Sequence, residues 1–438
     1  MRIAIIGTGV AGLGAAYALR DAHDIVVYEK ETRPGGHANT LTVDYDGVRL
    51  PVDTGFIVFN ERNYPNLVAL FRELGVETHA SSMSFAVSLR DGAMEWAGDS
   101  LRTLFAQKRN LLRPSFHAMW FDILRFNKRA REDLRAGTIG ADSLGAYLDR
   151  RGFGESFRNN YLVPMGSAIW SMSPAEMLAF PALTFLRFFE NHHLLVGFET
   201  PAWRTVTGGS RTYVDKIASR LGGRIRLGTA AVRIAREADA VRITDSSGAT
   251  EHFDHVILAC HSDQALRLLA DPSADERALL SAIRYAPNLA LLHRDAALMP
   301  WRRKVWSSWN YMCGGVLHGG GDAPVSVTYW MNRLQNIDAR FPLFVSLNPR
   351  RMPRDDLTFA RIPYEHPQFD GPAIQAQRAL PRIQGVRRTW FCGAWTGYGF
   401  HEDGLASGLE VAARLGAPPS WGVQGEPRVF RPATDLAA

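Results

Sequence analysis

Only three cysteines, Cys260, Cys313 and Cys392, occur in 438 residues, and no two of them stand in a CxxC pair or a framework spacing. A disulfide scaffold and a structural zinc site are thereby excluded, no metal is expected, and a reducing cytoplasm is the expected compartment. Lysine is scarce too: among 50 basic residues only Lys30, Lys108, Lys128, Lys216 and Lys304 are lysines, and the rest are arginines. A spanning helix needs about eighteen uncharged apolar residues. The nearest approach, MLAFPALTFLRFF, is broken by Pro181 and Arg187. The apolar N-terminus lacks the basic region of a secretory signal, with Arg2 alone before it, and Gly7, Gly9, Gly12 and Gly14 interrupt it. Internal repeats and low-complexity tracts are absent as well.

What is present describes a folded chain. The apolar fraction of 46%, the charged fraction of 21% and 11 tryptophans supply enough core-forming material to offset ordering entropy. The length exceeds what one core supports, so two domains, discontinuous in sequence, are expected. Disorder is expected only beyond about Pro418.

The run RIAII suits a strand buried on both faces, and GTGVAG turns it into the helix AGLGAAYALRDA before a second strand, IVVYEK. The order is that of a βαβ nucleotide unit. Gly7 permits the tight turn, Gly9 lets backbone approach a pyrophosphate, and Gly12 lets helix pack on strand. Val10 and Ala11 open the helix whose N–H groups face the phosphates. Glu29, followed by Lys30, stands about twenty residues on, where a carboxylate accepts hydrogen bonds from a ribose.

This fingerprint leaves NAD and FAD both open. The stretch KETRPGGHANT favours FAD, because Gly35 and Gly36 let a longer cofactor thread its pyrophosphate and ribityl past the second strand. A second glycine-rich stretch, FCGAWTGYGFHEDGLASGLEVAARL, lies near the far end. It reads as the other grip on the same extended ligand.

Between these ends, residues 62–204 carry helical periodicities rich in aromatics, NYPNLVALFRELG among them. Strand-like alternation returns in GGRIRLGTAAVRIAREADAVRITD, FDHVILAC, WSSWNYM and VSVTYWMNRLQ. The expected division is a nucleotide domain of 1–61, 205–285 and 385–420, a substrate domain of 62–204 and 286–384, and a tail of 421–438.

The motifs GTGVAGLGAAYAL, YEKETRPGGHANT, VDTGFIVF, TGGSRTYVDKIA, DHVILAC and FCGAWTGYGFHEDGLASGLEVA, in this order, resemble the flavin-containing amine oxidoreductase superfamily. That superfamily, with its glutathione-reductase-like FAD fold, includes carotenoid desaturases, protoporphyrinogen oxidases and polyunsaturated fatty acid isomerases. The resemblance covers about residues 1–416. It implies an α/β fold: a Rossmann-like FAD-binding domain with an inserted α+β substrate domain. It also implies that Val232 meets the adenine through its backbone, that Gly393 lies beside the diphosphate and ribityl, and that Gly404 and Leu405 sit at a helix N-terminus under the flavin.

Three departures stand out against the family pattern. His37 replaces a common arginine and is read as a neutral hydrogen-bonding substitute. Ala394 stands where many relatives have an acidic residue. Asn288, in PNLALLH, holds the place of the lysine often found in amine oxidases. No cysteine occupies a motif for covalent flavin attachment, so non-covalent FAD is expected.

Residues 160–200 are rich in Phe, Trp, Met and Leu with few charges, which suits an extended apolar substrate better than a small amine. Residues 102–136 interleave arginine and lysine with Leu, Phe and Trp, the pattern of a helix that touches an anionic membrane. The membrane's inner face is then the expected place of contact. No nucleic-acid fold accompanies this segment, so no nucleic-acid partner is expected, and the sequence leaves the oligomeric state open. Through RPGGHANT, SAIWS and FCGAWTGYGFHEDGL the chain is similar to a bacterial branch of predicted NAD/FAD-binding proteins, which implies desaturation or isomerisation of a methylated fatty acyl chain of membrane lipid.

His401, Glu402 and Tyr398 are the candidates for proton transfer, while Asp403 is expected to cap the following helix. Two other readings stay open from sequence: an oxidase of small amines or polyamines, which Asn288 disfavours, and a flavin-binding partner protein without catalysis.

Overall fold

The computed structural model describes residues 1–170, 172–192, 194–195, 201–314 and 326–430. Strand Arg2–Ile6 sits inside a five-stranded sheet ordered Ile225–Arg226, Asp24–Tyr28, Arg2–Ile6, His255–Leu258, Thr389–Phe391, in which every pairing is parallel. Ile3, Ala4 and Ile5 are fully buried, as an apolar run covered on both faces must be. The chain reaches this sheet in pieces drawn from its beginning, middle and end.

Two helices run out from the carboxyl edge of that sheet, the opening helix Val10–Leu19 and the closing helix His401–Arg414. They pack nearly backbone on backbone. A Cβ on Gly408 would lie 2.1 Å from the carbonyl oxygen of Ala11, and one on Gly12 would lie 2.0 Å from that of Gly7. Neither neighbour can yield, so small residues are obligatory there.

The second sheet has seven strands, ordered Thr358–Gln368, Arg284–His293, Phe344–Leu347, Ser326–Trp330, Trp309–Cys313, Phe85–Leu89, Met94–Ala97. Thr358–Gln368 contains Pro363 and Pro367 and lies at the sheet edge, where a missing N–H is tolerated. Helices of the segment 114–191 cover one face, joining Val87, Trp96, Tyr311 and Val327 in one core. The hairpin of Thr40–Tyr45 and Val48–Asp53 covers the other, joining Val43 and Val52 to Ala290 and Val345. None of the described helices is long and apolar enough to cross a membrane.

Several expectations shift. Residues 102–136 are not one helix. The chain makes the short turns Leu101–Leu104 and Lys108–Leu112 and starts the long helix Pro114–Ala136 only after Arg113, because a residue before proline leaves the helical region. In VSVTYWMNRLQ the strand stops at Trp330 and Met331–Leu334 is helical. Helix Pro65–Leu74, read as part of the substrate domain, packs Leu67, Leu70 and Phe71 into the core of the parallel sheet.

The tail is ordered at least to Phe430, with Val429 fully buried; 431–438 lie outside the described residues, as do 171, 193 and 196–200 of the apolar stretch 160–200. This strap is tied to the closing helix by Glu410, whose carboxylate accepts the N–H of Arg428 at 2.6 Å and of Val429 at 2.9 Å. Asn66 ties it a second time, donating to Gln424 O at 2.9 Å and accepting the Gln424 N–H at 2.9 Å.

Glu410→Ala leaves two buried N–H groups unpaired and is expected to cost about 1–3 kcal/mol in denaturant unfolding. Limited proteolysis is then expected to cut first after Pro418; an unchanged midpoint would show that the strap carries no stability.

Candidate active site

At the carboxyl edge of the parallel sheet, the opening helix begins at Val10 with Gly9 as its cap, and no side chain caps it. The N–H groups of Val10, Ala11 and Gly12 therefore have no intrahelical acceptor. Gly7 turns the chain at φ +102° and donates its N–H to Tyr28 O at 2.8 Å. The turn carrying Gly35 and Gly36 folds back on this loop, with Gly35 donating to Thr8 O at 3.0 Å. A Cβ on Gly36 would lie 3.2 Å from Gly9 Cα, while one on Gly9 would meet nothing within 4 Å. The two glycines thus form a narrow slot whose open side faces away from protein.

Glu29 is buried below the slot. It accepts the Thr8 N–H at 2.8 Å, the Thr8 hydroxyl, and the Glu31 N–H at 3.0 Å. A carboxylate has about four lone-pair sites, so one remains for a ligand hydroxyl. Lys30 does not join it: its side chain is 64% exposed and stands 3.8 Å from Glu31. Val232 lies at a bulge, since the ladder skips from Ala231 to Arg233, and its backbone is left out of the strand pairing.

At the far end, Gly393 takes φ +153° and donates its N–H to Ser407 Oγ at 2.9 Å. Ala394 opens the short turn Ala394–Thr396 with no charge to offer, and Gln377 pins that loop through Trp395 O at 2.7 Å and Gly397 O at 2.6 Å. Gly404 and Leu405 are one turn past the helix start. Gly404 donates to Phe400 O within the helix, and Leu405 is fully buried against Gly14. The donors without intrahelical acceptors are instead the N–H groups of His401, Glu402 and Asp403.

The proton-transfer candidates separate sharply. Glu402 is buried and caps a different helix, Pro65–Leu74. It accepts Asn66 N at 2.9 Å, Asn66 Nδ2 at 2.7 Å and Leu67 N at 3.0 Å, where Tyr64 at the cap has no acceptor to give. Its carboxylate is committed to holding the start of that helix. Burial pushes its pKa up to about 7.

His401 is clamped between Phe56, stacked at 4.0 Å and 10°, and the Tyr213 hydroxyl, 2.5 Å from Nε2. Burial lowers its pKa to about 3, so the ring is neutral and a poor base. Asp403 caps its own helix, accepting the N–H of Phe400 and of Tyr398 at 3.0 Å each, and pairs with Arg428 Nε at 2.7 Å. Tyr398, half-buried like His401, sits in an aromatic group: Phe188 meets it edge-on at 5.6 Å and stacks on Phe400 at 5.2 Å and on His192 at 3.8 Å.

Sequence reading missed the strand residues Tyr364 and His366. The His37 ring stacks on Tyr364 at 4.6 Å and lies 5.4 Å from His366. Tyr364 Oη takes a hydrogen bond from Asn39 at 2.9 Å and shares one with Thr54 at 2.9 Å. Burial, reinforced by His366, pushes the His37 pKa well below the usual imidazole range, so this ring is neutral. His37 Nε2 is buried with no partner among the described residues, an orphan polar atom beside the glycine slot. The alternation in PYEH puts Tyr364 and His366 on one face, a signal obscured by the flanking prolines. Asn288 lies across the ladder from Tyr364 and is knitted into its own sheet, accepting Asn348 Nδ2 at 2.9 Å. A free helix start, a slot that a Cβ would fill and an unpaired imidazole nitrogen fit a flavin dinucleotide.

A family model for flavin-containing amine oxidoreductases matches residues 10–308. Over 76 residues, 17% of this chain, the sequence is 40% identical to a probable zeta-carotene desaturase of Synechococcus elongatus, and the matched part spans only 15% of that curated relative. Among solved structures, a CLA-producing fatty acid isomerase from P. acnes is similar with a TM-score of 0.66 at 15% identity, over 94% of this chain and 98% of that one. Putrescine oxidase with putrescine bound is similar with a TM-score of 0.66 at 17% identity, over 95% of this chain and 99% of that one. At such identities these likenesses show the fold alone.

Two variants test this geometry. Gly9→Ala puts a methyl into the slot without touching protein, so stability of the flavin-free chain is expected to change by only about 0.5 kcal/mol while FAD occupancy falls. Glu402→Gln points an amide N–H at Leu67 N–H and is expected to cost about 1–3 kcal/mol. The folded pKa of Glu402 lies above its ordinary 4.5, so its contribution to stability is full below about pH 4.5 and is lost as pH rises through about 7. Unfolding followed against pH is therefore expected to lose less stability between about pH 4.5 and 7 in the variant, while Asp53, which burial raises to about 6, still contributes in the same sense and the buried neutral histidines His37 and His401 in the opposite one.

Proposed function

This chain belongs to the flavin-containing amine oxidoreductase family and is an FAD-dependent oxidoreductase; on that premise we propose that its substrate is an extended apolar chain, a fatty acyl group of membrane lipid, methylated or not, which it desaturates or isomerises. The observation that carries the reading is the aromatic wall at the closing loop. Helix Ala182–Asn191 lays Phe188 against Tyr398 and Phe400, and Phe188 packs in turn on Trp170 at 4.7 Å. Such a wall receives an acyl chain through apolar area, and the two acids at the start of the closing helix, Glu402 and Asp403, are both committed elsewhere. The fatty acid isomerase and the carotenoid desaturase among the similar proteins support the same substrate class.

FAD, when bound, supplies the acceptor for a hydride. The glycine slot, with Gly7, Gly9, Gly12, Gly35 and Gly36 and the N–H groups of Val10 and Ala11, would hold the diphosphate, Glu29 a ribose, Val232 the adenine, and Gly393 the ribityl. The N–H groups of His401 to Asp403 would face the flavin, and His37 Nε2 would gain the partner it lacks. Retention is non-covalent in this reading, because burial pushes the Cys260 thiol up to about 12 and the Cys392 thiol up as well, leaving both protonated and unreactive.

The chain's own contribution to chemistry is position and proton handling. Tyr398 and Phe400, half-buried and backed by the buried Phe188, would align the acyl chain and keep water out. Of the proton-transfer candidates, Tyr398 is the one that lies on the aromatic wall itself. As it takes the proton that leaves the substrate, its phenol would give up its own proton toward solvent.

Anaerobic mixing with an unsaturated phospholipid is expected to bleach the flavin, whereas putrescine and similar amines release no hydrogen peroxide; the opposite pattern would make this an amine oxidase. Tyr398→Phe is expected to keep its flavin and to slow lipid-dependent bleaching roughly a hundredfold or more. Acid precipitation is expected to leave the flavin in the supernatant.

A further inference from the structure

We propose that the face formed by residues 101–112 together with residues 301–304 docks on the surface of an anionic lipid bilayer. The proposal deepens the lipid-substrate reading above, because an acyl chain that resides in a bilayer must be met there.

The face is assembled from segments far apart in sequence around the turn Arg90–Ala93, which joins strands Phe85–Leu89 and Met94–Ala97. Gly92 O accepts Gln107 Nε2 at 3.0 Å from one side and Arg302 Nη1 at 3.1 Å from the other. Trp301 lies over the same glycine, so close that a Cβ on Gly92 would be 3.1 Å from its Cγ. Ala86, Ala97, Val305 and Ala106 make a small core beneath. The two segments are therefore fixed side by side.

What they present outward is apolar and large. Leu112 is 87% exposed, Trp301 78% and Leu101 74%, and each stands on a short turn or helix end rather than in a groove. A protein partner would need matching holes for such isolated tips, whereas an acyl surface accommodates them without shape complementarity. Tryptophan and leucine beside cations are the residues that settle at the headgroup boundary.

Charge points to the same occupant. Arg102, Lys108, Arg303 and Lys304 have no acidic partner among the described residues. The nearby acids are already paired, Glu95 with Arg302 at 2.8 Å and Asp99 with Arg333 at 3.0 Å. Free cations around apolar tips complement an anionic surface. In helix Pro114–Ala136, which also exposes Phe121 and Leu124, more of the cations are paired: Arg125 with Asp122 at 2.8 Å, and Lys128 and Arg129 both with Glu132. The contact is thus centred on the turns before that helix, with Trp301 as a new member.

The test is flotation of the FAD-loaded full chain with phosphatidylcholine vesicles made with and without phosphatidylglycerol. Binding is expected only to the anionic vesicles and is expected to weaken as salt is raised. Leu112→Glu with Trp301→Glu is expected to weaken it on the order of tenfold or more while flavin absorbance is retained. Lys128→Glu is expected to change it little. Binding that survives the double variant, or that Lys128→Glu abolishes, overturns the proposal, as does failure of the parent chain to float. None of these readouts depends on turnover. If flotation fails while solubilised lipid still bleaches the flavin, the docking face is wrong and the substrate stands; if flotation succeeds and no lipid bleaches it, the substrate is wrong.

Discussion

The close approach of two helices, the Gly408 backbone on that of Ala11 and the Gly404 backbone on the Val10 side chain, is the constraint on which the rest of the molecule depends. It forces the opening and closing helices to leave the same edge of the parallel sheet with their starts adjacent. Free N–H groups from residues almost four hundred positions apart then face one site. A side chain at either glycine would separate the helix starts and with them the two grips on one long cofactor. Everything between, including the seven-stranded sheet and its helical cover, is inserted without disturbing that contact because the insertions leave and return at loop ends of the sheet.

Much of this was readable from short-range rules. Strand, glycine turn and helix at the N-terminus follow from a two-sided apolar run and three glycines, and Asp403 as a cap follows from a spacing of three residues to the helix start. Where the partner is remote, reading failed. The donors to Glu402 are 336 and 335 residues away in Asn66 and Leu67, and nothing local distinguishes a carboxylate that caps another helix from one that meets a substrate. His401 was opaque for the same reason, since its clamp comes from Phe56 and Tyr213. The tail looked disordered because its composition is poor in core residues, yet Val429 needs only one buried site and Glu410 supplies two acceptors. Arg113–Pro114 was a local signal that the continuous helical periodicity of 102–136 outweighed in reading but not in folding.

The acidic motif at the closing helix makes physical sense once each carboxylate is followed to its partner. A helix start attracts negative charge, and an unpaired Asp or Glu in its first turn would satisfy that attraction itself. Here Asp403 is matched by Arg428, Glu402 is turned to the start of another helix with its charge weakened by burial, and His401 is neutral. The field of the closing helix is therefore not spent on its own side chains. In the proposed site it would remain available to the negative charge that a bound flavin takes up on reduction, which is where a hydride-accepting site needs it. The strap that carries Arg428 is then part of the site's electrostatics as much as of its stability: losing it would release the Asp403 charge toward the helix start and set it against the charge the cofactor acquires.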